Sequence, residues 1–158
     1  MWQRLFPKSI DNQYRGHPAG LWLFIPITFV NLVISLVAIF ARDGGAQSAD
    51  GVPLDTFGPA AADAVIAVVA VLGLAHLLLV LLFVLALVRY RAMIPLMYAL
   101  LVADYFCRKG IRLIKPIPHV GTPAGVSVSL ILIALSLVGL ALSLGKPHAA
   151  ASADPPSR

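Results

Sequence analysis

Apolar positions in this chain fall into long unbroken runs separated by short polar stretches, not into the alternation that marks half-buried strands. The longest run, AVIAVVAVLGLAHLLLVLLFVLALV at 64–88, has no charged residue and is closed by Arg89-Tyr90-Arg91. At about 1.5 Å per residue, a helix over this run reaches roughly 38 Å, more than the ~30 Å hydrocarbon core of a bilayer. Two further runs, at about 20–41 and 123–144, have the same character. The pattern predicts an all-α fold, a polytopic transmembrane helical bundle.

A fourth apolar run opens at Pro95 and is short, with Asp104 near its end and Arg108, Lys109, Arg112 and Lys115 after it. Two topologies follow. In the first, 93–114 spans, giving four helices at about 20–41, 60–88, 93–114 and 123–144. With the N-terminus inside, seven Lys and Arg then lie inside and five outside. In the second, the run that opens at Pro95 is re-entrant or interfacial, leaving three spans, with nine inside and three outside. The positive-inside rule favours the second. Against it, a helix continued to Ile114 reaches roughly 30 Å, Arg and Lys near its end can snorkel, and Asp104 and Arg108 are spaced i,i+4 in the favourable order. The four-helix reading is preferred.

The polar stretches complete the organisation. Residues 1–19 carry Arg4, Lys8 and Arg15 among Trp2, Phe6 and Tyr14, the look of a cytoplasmic interfacial anchor. No apolar region precedes Gly20, so no cleavable signal peptide is expected and the first span does the targeting. Residues 42–63 hold four Asp with Gly-Gly, Asp-Gly and Gly-Pro turn signals, an external acidic loop lacking the calcium-loop spacing. Pro59 reads as a helix start after Gly58. The tail, 145–158, is Ala-, Pro- and Ser-rich and is expected to be disordered.

Composition strengthens the membrane reading: 59% hydrophobic, 12% charged, and a mean hydropathy of +0.90, in a chain of 158 residues. No soluble core of this size could hide so much apolar surface. The net charge of +5 comes from clusters beside the spans, which speaks for topology and anionic headgroups and against nucleic acid. The single cysteine, Cys107, can form neither an internal disulfide nor a thiolate metal site. All seven acids are Asp, and Arg outnumbers Lys eight to four, a usage that reads as bacterial.

Candidate chemistry centres on His76, an ionisable side chain near the middle of the longest run. Counting from each span's start puts Asn31, His76 and Ser129 or Ser136 at similar depth, so that these four form a candidate polar intramembrane site. Asp104 is expected at a different depth. Thr28, Asn31, Ser35 and Ala38 share one face of the first helix, and Gly125, Ser129, Ser136, Gly139 and Ser143 one stripe of the last, both suited to close helix packing. Arg108, Lys109, Arg112 and Lys115 are candidate contacts for anionic lipid. His17, His119 and His148 lie at ends or in the tail, so bis-histidine haem ligation within one chain is not expected. No catalytic motif, metal set or cofactor-binding pattern is found.

Four stretches, LFPKSIDNQYRGHPAGLWLF at 5–24, ADGVPLDTFGPAAAD at 49–63, VRYRAMIPLMYALL at 88–101 and GTPAGVSVSL at 121–130, together resemble a family of small uncharacterised bacterial integral membrane proteins with four spans. The resemblance implies architecture and a bacterial inner membrane, and carries no activity or site residue. The function expected is therefore a non-enzymatic accessory, assembly or scaffold module that binds lipid and a membrane-protein partner or a second copy of itself. The alternatives are a small carrier or channel-like protein working at His76 and, third, a haem- or quinone-linked subunit.

Overall fold

The computed structural model describes residues 5–7, 10–121 and 123–145. Among the described residues the helices are α1 (Pro18–Phe40), α2 (Pro59–Val88), α3 (Ile94–Ile114) and α4 (Ala124–Leu144), with 3-10 turns at Leu54–Thr56 and Arg91–Met93. There is no strand among the described residues. α1, α2 and α4 are long and apolar enough to cross a membrane, and the all-α, multi-pass character of the sequence is compatible with them. α3 is not among them, because Asp104, Arg108 and Lys109 fall within its length. The tail beyond Gly145, and residues 1–4, 8 and 9 of the N-terminal segment, lie outside the described residues.

Local chemistry sets the helix ends. His17 caps α1, its Nδ1 accepting from the Ala19 amide at 3.2 Å. Proline sits in the first turn of α1, α2 and α3, where its missing N–H and fixed φ cost nothing. α1 continues through Pro26. Between α1 and α2 the chain turns on Gly44 and Gly45, whose φ values of 61° and 78° favour residues without a Cβ. Asp43 organises this loop by accepting from the amides of Ser48 at 2.7 Å and Gly45 at 3.0 Å. The Ser48 amide first, with the Gly45 amide adding to it, holds the Asp43 carboxyl down at about 2.

Successive helices alternate in direction, as contacts at both ends establish. At the end carrying the Arg89–Met93 turn, the His17 amide donates to the Leu142 carbonyl at 3.1 Å and the Ala92 amide to that of Asp11 at 3.2 Å. At the loop end, the Gly125 amide donates to the Ala49 carbonyl at 3.0 Å, the Val120 amide to that of Gly51 at 2.9 Å, and Arg112 pairs with Asp50 at 3.3 Å. α1 packs along α2 and α4, and α3 packs along α4 but only grazes α1 and α2.

Each helix buries one narrow stripe. On α2 it is Gly73, His76, Val80, Phe83 and Ala86, at the spacing that returns to one helical face. The other faces of α1, α2 and α4 carry uncovered apolar side chains such as Phe29, Val71, Leu78 and Ile131, which suits hydrocarbon and not water. The core lies toward the turn end, where Phe24 meets Phe83 and Tyr98 edge-on at 5.6 and 4.7 Å between centroids. Close backbone approach is built into it. A Cβ on Gly139 would fall inside the Tyr98 ring, and one on Gly73 would come within 2.6 Å of the Ala38 Cβ.

Candidate functional site

α3 changes character along its inward face. Its buried residues, Ile94, Pro95, Met97, Tyr98 and Leu101, all lie in the first half. One and two turns further on, the same face presents Asp104, Tyr105 and Arg108. These long side chains cross the space that separates α3 from α1 and α2, and meet Asn31 and His76 there.

Asn31 anchors the cluster. Fully buried on α1, it donates from Nδ2 to the Ile27 carbonyl at 2.8 Å, which turns its Oδ1 toward the other helices. That oxygen accepts from the Tyr105 hydroxyl at 2.9 Å and from His76 Nε2 at 3.1 Å. Because Oδ1 can only accept, Nε2 must carry the ring proton. The other ring nitrogen, Nδ1, lies 3.2 Å from an Arg108 guanidinium nitrogen, which can only donate, so Nδ1 is the acceptor. The two contacts therefore select a single neutral tautomer of His76 without reference to its titration. Arg108 also donates from Nε to Asp104 Oδ2 at 2.8 Å, and that carboxylate stands 3.9 Å from His76 Nδ1.

Three helices thus contribute to one connected set: Asn31 from α1, His76 from α2, and Asp104, Tyr105 and Arg108 from α3. Asn31 and His76 are buried; Asp104 is 23% and Arg108 47% exposed, so the set is buried in its α1 and α2 members and partly accessible through those of α3. Its position is central, since Asn31 lies roughly 20 Å from the start of a helix about 35 Å long.

The structure hydrogen-bonds Asn31 to His76, and no hydrogen bond among the described residues joins either of them to Ser129 or Ser136. Ser129 donates to the carbonyl of Gly125 in its own helix at 2.6 Å. Ser136 is buried, and its hydroxyl has no hydrogen-bond partner among the described residues; the same holds for Thr28. The different depth expected for Asp104 is corrected by its 3.9 Å approach to His76: α3 runs beside α2, and counting along the sequence does not reveal that offset. Arg108, assigned to lipid from its charge, instead faces His76 and Asp104, and Arg112 faces Asp50. Tyr105 is a cluster residue the sequence reading does not name, and Arg108 is named there only as a lipid contact. The signal for them was present, because both continue the i+3, i+4 stripe that starts at Ile94 and Leu101.

Both ring nitrogens of His76 are engaged, so an axial bond to haem iron would have to break either the Asn31 or the Arg108 contact. No group of three His, Cys, Asp or Glu side chains suited to a metal ion occurs among the described residues. Comparison with protein-family models, curated proteins and solved structures finds no match to this chain.

Proposed function

We propose that this chain is a bacterial inner-membrane protein with four spans packed as a bundle, and that it is a non-enzymatic module which docks a membrane partner along the α2–α3 seam. The observation that carries this reading is the Asp104–Arg108 pair, partly exposed near the middle of α3 and beside helices whose outer faces are apolar. An ion pair at that depth is costly in hydrocarbon and is stabilised by polar protein cover. α3 touches α2 only sparsely, and the partner's helix would lie along that seam. The four-span architecture agrees with the family resemblance and with α3 running between contacts at both ends of the other helices.

Cys107, exposed beside Arg108 and the sole cysteine, gives direct access to this surface. A benzophenone maleimide attached there and irradiated in native membranes should yield one discrete protein adduct, either a second copy or a single other membrane protein. The Arg108→Gln variant should lose most of it. Adducts with lipid alone, together with a monomer in mild detergent, would sink the docking reading.

A second reading, a small carrier, is favoured by one observation: His76 lies directly behind the exposed pair, linked to Asn31 and Tyr105. Proteoliposomes loaded with a pH-sensitive dye test it. A proton flux above that of empty vesicles, lost in His76→Gln, would put transport in place of docking.

A further inference from the structure

We infer that the loop end of α3, with the segment that follows it, is a binding surface for the headgroup of an anionic phospholipid in the loop-side leaflet. This inference is independent of the docking reading. From Phe106 to Gly121, among the described residues, every position but Gly110 is exposed. Within that stretch Leu113, Ile114 and Val120 are 82%, 80% and 73% exposed, the profile of side chains covered by acyl chains rather than protein.

Lys109, Arg112 and Lys115 are interleaved with these residues at three-residue spacing, which spreads them over an arc of about 120° on one side of the helix. Of the three, Arg112 is matched by Asp50. Lys109 and Lys115 have no ion pair among the described residues, although the acidic loop lies at the same end of the fold. Of that loop's other carboxylates, Asp43 caps its own turn and Asp55 faces Gln47 at 3.4 Å.

Depth agrees with the charge. Lys115 ends α3 where Arg112 meets Asp50 and where the 3.0 Å Gly125–Ala49 hydrogen bond ties α4 to the loop, so its ammonium group sits at the membrane boundary, with the Lys109 backbone about 9 Å deeper along the helix. Their methylene stems can run along the exposed Ile111 and Ile114 side chains while the charges reach the phosphate layer. The ligand is thus a phosphate monoester or diester carried on two acyl chains with net negative charge, such as phosphatidylglycerol.

The test uses the full chain in detergent, titrated with phosphatidylglycerol or phosphatidylcholine and read by native mass spectrometry. The wild type should retain phosphatidylglycerol in preference, and K109Q/K115Q should reduce that preference by roughly 30-fold. K109R/K115R should keep it, and inorganic phosphate at millimolar concentration should not displace the lipid. Equal retention of the two lipids by the wild type, or an unchanged preference in K109Q/K115Q, overturns the inference. Displacement by inorganic phosphate also overturns it, because the site would then be one for the free anion.

Discussion

The two halves of α3 are held by different physics. Between Ile94 and Leu101 the helix is buried against α4 and the Phe24–Phe83 pair, with Tyr98 laid across Gly139 so closely that no side chain fits between them. Between Asp104 and Ile114 nothing is fully buried, and the helix is tied to its neighbours by directed polar contacts from Tyr105, Arg108 and Arg112. In lipid, apolar side chains gain little by leaving hydrocarbon, so close packing holds the first half. The second half depends on a few hydrogen bonds whose loss exposes charge. The first half is held by packing, and the proposed docking and lipid surfaces both lie on the second.

If that contrast is right, the largest effect belongs to the packed half. Gly139→Leu has to push Tyr98 out of its place and break its 2.8 Å hydrogen bond to the Gly20 carbonyl. A loss of about 3 kcal/mol is expected, measured by denaturation in mixed detergent micelles. A cost below that of any change in the polar cluster would reverse the comparison.

Next comes His76→Ala, which removes one donor from Asn31 Oδ1 and leaves Arg108 with Asp104 alone. About 1–2 kcal/mol should be lost in the same assay, while the Phe24, Phe83 and Tyr98 packing stays intact by aromatic circular dichroism. Tyr105→Phe deletes a single hydroxyl and should cost about 0.6 kcal/mol. In combination with Asn31→Ala it should add little beyond the Asn31 change itself, because the two share one bond; full additivity would mean that the bond contributes nothing.

The smallest effect is at the loop. Asp43 is held at about 2 in the fold against an ordinary 3.8, so its contribution is fully present above about pH 4 and disappears as the pH falls through 2. Deuterium exchange at the Gly45 and Ser48 amides should therefore quicken relative to the helix amides over that window. In Asp43→Asn the extra acceleration should be absent.

Much of this contrast was legible in the residues. The run of apolar residues ahead of Asp104 and the run of basic residues after it already divide α3, and the stripes of Thr28, Asn31 and Ser35 and of Ser136, Gly139 and Ser143 are the buried ones. What remained hidden was the offset between helices. A helical repeat assigns each residue to a face of its own helix, but depth counted from a span's start carries the error of every uncertain boundary. Pro59–Val88 is longer than the other helices, so such counts slide.

The sequence alone therefore determined where the helices are, that the first, second and last suit a bilayer, and which stripes of the first and last look inward, because these follow from local periodicity and transfer energies. Only the tertiary structure decided that His76 meets Asn31, Arg108 and Asp104, and that Ser129 stays with its own helix. The physical reason is that the rotation and slide between helices are set by close contacts far apart in the chain, Gly139 on Tyr98 and Gly73 on Ala38, and by end ties such as Arg112 to Asp50. No local pattern contains those distances.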